Sequence, residues 1–155
     1  MERNMETDFK QMVHKYCLQI VADKLKAMEE KLRDLSASAA NETKSSAGDK
    51  YETARAMLHI EQDQVRGQKA ELLAQQAVLN SIEPNLKTER IVLGSLVQIG
   101  ESYYYLSLAL GRLKVEGKTV YALSLQAPLG GQLKGLTTGE SVTVAGKVRR
   151  VDEVV

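Results

Sequence analysis

Between positions 8 and 35 the apolar side chains fall at Phe9, Val13, Tyr16 or Cys17, Ile20 or Val21, Leu25, Met28, Leu32 and Leu35. That three-and-four spacing lines one face of a helix. A second helical stretch, about 50–82, sets Leu58, Val65, Leu72 and Leu79 at the interval of a coiled-coil seam. Folded back antiparallel, one offset places Leu35 against Tyr51, Leu32 against Ala54, Met28 against Leu58, Val21 against Val65 and, within a residue, Val13 against Leu72. These pairings predict a helical hairpin. Glu61, Gln68 and Gln75 occupy the alternate seam positions of the second helix, so its buried stripe is narrow. A two-helix finger solvated on most sides fits that pattern better than a bundle core. Helices of about thirty residues would extend roughly 45 Å.

The stretch 36–48 between the helices is small and polar, which predicts a turn. Asp49 followed by Glu52 forms a variant capping box that would satisfy free backbone donors at the start of the second helix. Glu83-Pro84-Asn85 ends that helix, because proline cannot continue the backbone ladder. Beyond it the apolar period shortens to two and glycines multiply. Strands are predicted at 91–97, 102–110, 119–126, 141–144 and 147–151, with a short helix at 129–134. The fold class is therefore α+β: an antiparallel hairpin over 1–83, a linker at 84–90 and a small β-rich domain over 91–155. Tyr103, Tyr104, Tyr105 and Tyr121 are expected to pack one face on the β core and leave their hydroxyls at water.

Charge narrows the function. Residues 1–83 hold 12 Lys and Arg against 14 Asp and Glu, and residues 84–155 hold 9 against 6. So even a balance argues against a general nucleic-acid binder, and any such contact should be local. Cys17 is alone, which excludes an internal disulfide framework and favours a reducing, cytoplasmic setting. No apolar run approaches the ~20 residues of a membrane span, and the polar start Met1-Glu2-Arg3-Asn4 lacks a signal-peptide pattern. His14 and His59 are placed too far apart by the helix pairing to share a metal. Cys17 lies near the seam of the first helix as a small buried hydrophobe. Lys24, Lys26, Lys31 and Arg33 alternate with Glu29, Glu30 and Asp34, the pattern of a solvated helix face.

The segment Ala127-Pro128-Leu129-Gly130, Leu133, Gly135, Gly139-Glu140 and Val142-Thr143-Val144 resembles the C-terminal motif of the Gre transcript-cleavage factors, roughly SPLGxxLxGxxxGDxVxV. Val92-Leu93-Gly94-Ser95-Leu96-Val97 resembles the opening of the same domain. The resemblance implies a coiled-coil finger followed by a domain similar to the FK506-binding-protein fold. It also implies a monomeric factor that binds RNA polymerase and places the finger tip in the secondary channel. It implies contact with nascent RNA only inside that complex, and a polymerase-binding role for Pro128, Leu129, Gly130, Gly135 and Gly139. The glycines also have a plainer meaning: Gly135 and Gly139 bracket a turn where positive φ or close approach excludes a Cβ.

In the family two tip carboxylates help hold a magnesium ion at the polymerase's own centre, so the factor itself is no enzyme and has no intrinsic cofactor. The family's tip reads DLSENAEY. Aligning its tyrosine with Tyr51 puts Lys44 and Ala47 where the acids should stand. The acidic candidates left are Glu42, Asp49 and Glu52, of which Asp49 and Glu52 are explained by capping. The expectation is a factor that occupies the channel without necessarily stimulating cleavage. Two other functions compete. One is a peptidyl-prolyl isomerase or chaperone, although the sole Phe, Phe9, is expected in the hairpin and leaves only tyrosines for a proline pocket. The other is an adaptor that pairs through an open coiled-coil seam.

Overall fold

The computed structural model describes residues 5–45 and 49–155, with side chains described at 7–41 and 51–155. Two long helices, α1 (Met5–Ser45) and α2 (Asp49–Asn80), are followed by seven short strands and one short helix. The chain divides into two compact units, Gln19–Gln76 on the one hand and Met1–Leu18 with Ala77–Val155 on the other. A helical hairpin followed by a small β-rich domain is the predicted fold class.

Gln19–Gln76 is the hairpin. Along α1 the seam runs through Val21, Leu25, Met28, Leu32, Leu35 and Ala39, buried at its start and half-buried further on. Along α2 it runs through Tyr51, Leu58, Val65 and Leu72 as expected. The alternate seam positions are Gln62 and Lys69, one residue later than Glu61 and Gln68 and still polar. The stripe is accordingly narrow.

The pairing register differs from the expected one. Glu29 Oε1 lies 3.7 Å from Lys69 Nζ, whereas the expected offset would have set Glu29 against Met57, which is exposed. Leu58 likewise faces a hollow lined by Ser36, Ala39 and Ala40, not Met28. The cause lies in the stretch read as a turn: Ser36 to Ser45 are helical and extend α1 by three more turns. Alanine and polar straight-chain residues there have adequate helix propensity, and serine alone does not break a helix. Lengthening one arm moves every partner along the other.

The second unit is built on a five-stranded sheet of order β3-β4-β2-β1-β7. Its strands are β1 (Leu96–Ile99), β2 (Ser102–Leu106), β3 (Gly111–Val115), β4 (Lys118–Leu123) and β7 (Glu153–Val154). β2 and β4 pair in parallel and all other neighbours antiparallel. β5 (Ser141–Val144) and β6 (Lys147–Arg150) form a separate hairpin, and α3 (Pro128–Leu133) precedes it. β3 and β7 were absent from the expected strands. β3 arises because Arg112 to Val115 alternate in polarity before a Glu116-Gly117 turn with positive φ at both positions, the tight hairpin that a following glycine favours. Ala145-Gly146 repeats that turn between β5 and β6.

Each face of the sheet buries a different set. Val97, Ile99, Tyr104, Leu106 and Val154 join Ile91, Leu133, Val142 and Val151 in one core. On the opposite face Tyr103 and Tyr105 meet the first turns of α1. Thus Phe9, Val13 and Cys17, expected in the hairpin seam, are buried in the β-rich unit instead. The expected linker 84–90 is bound in as well, since Thr88 Oγ1 bonds to Ser95 Oγ at 2.6 Å and the Leu86 carbonyl accepts a bond from Lys10.

Candidate functional site

The tip acids come first. Glu42 lies in α1 and Asp49 opens α2, but both side chains fall outside the described residues, and Ala47 falls outside them entirely. Glu52 is exposed on the first turns of α2. Among the described residues no three of His, Cys, Asp and Glu converge so as to hold a metal ion.

The glycine motif resolves into structural duties. Pro128 opens α3 and is exposed, where its fixed φ suits a first helical turn. Leu129 is half-buried against the core. Gly130 is buried, and a Cβ there would stand 2.0 Å from the Ser124 carbonyl oxygen. Gly135, at φ +84°, donates its N–H to the Ile91 carbonyl at 2.8 Å. Gly139, at φ +93°, donates to the Val151 carbonyl at 2.8 Å. These bonds tie the 127–139 segment to β1's approach and to the strand ends. Of the five residues, only Pro128 and Gly139 are exposed.

Sequence reasoning missed a polar stripe on α1. Thr7, Lys10, His14 and Cys17 recur at helical spacing and are all buried in the β-rich unit. Lys10 Nζ donates to the Leu86 carbonyl at 2.8 Å and to the Val155 main-chain oxygen at 2.9 Å. Burial brings its pKa down to about 8. His14 Nδ1 and the Tyr105 hydroxyl are 2.7 Å apart. Burial lowers the His14 pKa, the Lys10 charge lowers it further, and Glu83 opposes both. Cys17 has its thiol pKa pushed up to about 12, chiefly by burial, with Ser107 as its polar neighbour. The signal was present in the helical spacing, but a polar residue on an apolar face reads as an interruption until the facing strand is known. The Tyr105 hydroxyl, expected at water, is buried against that histidine.

Beside this stripe lies a cavity of about 150 Å³. Phe9 and Tyr103 meet edge to face in its wall at 5.0 Å between ring centroids, and Leu96, Gln98, Lys118, Glu153 and Val155 complete it. Lys118 Nζ sits 4.6 Å from the Phe9 centroid, within cation–π range. Phe9 therefore belongs to the β-rich unit, and a pocket made only of tyrosines is not what the fold builds.

No protein-family model and no curated protein sequence matches the chain. Solved structures similar to it include two of Gfh1. The GreA factor homolog 1 (Gfh1) protein of Thermus thermophilus is 16% identical with a TM-score of 0.34, over 89% of this chain and 94% of that one. A second structure, of the transcription factor Gfh1, is 19% identical with a TM-score of 0.33, over 89% and 92%. A superposition at this level speaks to neither binding nor chemistry.

Proposed function

We propose that this chain is a Gre-like transcription regulator that binds RNA polymerase and inserts its helical hairpin into the secondary channel. The observation that carries the reading is a helical hairpin joined to a β-rich unit in which Gly130, Gly135 and Gly139 of the motif are each required by the backbone. Motif and architecture were inferred separately from the sequence, and they support the same family. The hairpin's exposed faces and narrow polar seam suit a pair of helices that works inside a partner. The exposed Pro128 and Gly139 are the parts of the motif free to touch that partner.

The factor acts in this reading without an active site of its own. Magnesium, held jointly with the polymerase, would supply the activated water of any RNA cleavage. Its donors on this chain would be Glu42 and Asp49, since Lys44 stands at the position of one family acid. With one acid position basic, the chain occupies the channel and modulates elongation without stimulating cleavage.

The test is a stalled elongation complex assembled from purified polymerase. The full chain should co-purify with it and alter its restart while leaving transcript length unchanged. Magnesium-dependent shortening lost in Glu42→Ala or Asp49→Ala would defeat the non-cleaving version, and failure to co-purify would defeat the polymerase reading altogether.

One observation favours a second reading. The Phe9–Tyr103 cavity is small, aromatic-walled and of a size to admit a proline ring, as a peptidyl-prolyl isomerase requires. Accelerated isomerisation of a proline peptide, abolished by Tyr103→Ala, would support it.

A further inference from the structure

The β-rich unit carries cations that no carboxylate neutralises. β6 is exposed at all four residues, and Lys147, Arg149 and Arg150 are three of them. Neither these nor Arg112 and Lys114 of β3 form an ion pair among the described residues. Cations on edge strands commonly discourage strand-to-strand pairing. Here they also share a surface with aromatic rings.

Strand register sets out the floor of that surface. Arg112 stands opposite Tyr121 and Tyr121 opposite Tyr104, so the three form a row across one sheet face. The two tyrosine rings stack at 5.3 Å with 23° between their planes. Lys114, two residues further along β3, shares the face opposite Thr119. The β5–β6 hairpin brings Lys147 and Arg149 to a groove of about 500 Å³ that is also walled by Ser102 and Tyr104. The Arg149 charge acts on the Tyr104 phenol, opposing the rise in pKa that burial and Tyr121 cause. Glu101 is the single acid in the groove wall.

We propose that this groove and the row beside it bind single-stranded RNA, with phosphates against Lys147 and Arg149 in the groove and Arg112 at the far end of the row, and a base against Tyr121 between them. A cationic groove beside aromatic faces is the combination that holds single strands with little sequence preference. An acidic peptide is the less suited occupant, because it would look to backbone donors in the wall, and the Gly100 N–H is already taken by Asp152 Oδ2 at 2.6 Å. The near-neutral charge of the whole chain does not oppose the site, since the groove itself carries Lys147 and Arg149 against Glu101. The proposal stands apart from the polymerase reading and is tested without polymerase.

Fluorescence anisotropy of a labelled oligouridine with the full chain is the measurement. Binding should appear at about 50 mM salt and weaken steeply by about 200 mM. Lys147→Glu with Arg149→Glu should lower affinity at least about tenfold. The milder Lys147→Gln with Arg149→Gln should reduce the salt slope by about 1.4, two phosphates' worth for a single strand. All these positions are exposed, so the circular dichroism of each variant should match wild type. Lys24→Glu with Lys31→Glu, on α1, should leave binding within about twofold. Three results overturn the proposal: no binding by the wild-type chain at low salt, equal binding by the β6 variants, or competition by polyglutamate as strong as by unlabelled oligouridine. The last of these would assign the groove to an acidic protein.

Discussion

A single hydrogen explains Gly130 better than any partner does. The Cβ of Gly130→Ala would meet the Ser124 carbonyl at 2.0 Å, and that oxygen is held in place by the Ala127 N–H at 3.1 Å. The substitution should cost about 3 kcal/mol or more, read as a lower urea midpoint at unchanged slope. Lys10 makes a different kind of demand. Its ammonium is buried with two carbonyl-type partners and its pKa falls from 10.5 to about 8. The unfolded chain therefore binds the extra proton between those values, and stability rises with pH across that window. Relative to Lys10→Met, the wild-type chain should gain about 3 kcal/mol between pH 8 and pH 10.5, measured by denaturation at several pH values. Below pH 8 the difference should be flat in pH as far as Lys10 is concerned. His14, also lowered, contributes stability that is present above its ordinary value of 6.5 and is lost as pH falls below it.

At the scale of elements, the hairpin was legible and its register was not. Periodicity identifies which residues share a seam, and Leu58, Val65 and Leu72 occupy it. It does not say where the chain reverses, and a run of serine and alanine is as compatible with helix as with a turn. The offset rested on apolar pairing alone, and that pairing is degenerate along a seam once α1 runs on to Ser45. The β strands show the same division. Turn residues announced β5 and β6 correctly, whereas β7, two residues long, has too little length to carry an alternation. The burial of His14 was beyond reach because it depends on a strand about ninety residues away, and that of Lys10 because its carbonyl partners lie 76 and 145 positions away. Register is open to direct measurement. In a Cys17→Ala background, Glu29→Cys with Lys69→Cys should be joined by a short bismaleimide, while Glu29→Cys with Met57→Cys should not. The reverse result would restore the offset inferred from apolar pairing alone.

For the whole molecule, the boundary between units does not coincide with the boundary between helices and strands. Residues of α1 before Gln19 cover a face of the β sheet. A fragment starting at position 84 should therefore bare Tyr103, Tyr105 and Leu96. Losing the burial of Phe9, Val13 and Cys17 removes about 1.5–3 kcal/mol for each large apolar side chain, a sizeable share of a small domain's stability. The fragment should bind a hydrophobic dye and unfold well below the intact chain, and a fragment as stable as the parent would contradict this packing. The bond between Lys10 and Val155 spans 145 positions, and it has a consequence for the order in which the protein assembles. A ribosome releases the chain from its start, so the long helices can fold onto each other while the strands are still being translated. The opening turns of α1 have no sheet to rest on until β2 emerges, and Lys10 lacks its Val155 partner until the last strand is made. Contacts so distant in sequence form slowly, and before β2 emerges a stripe holding Phe9, Val13 and Cys17 stays bare, a natural foothold for a chaperone on the nascent chain.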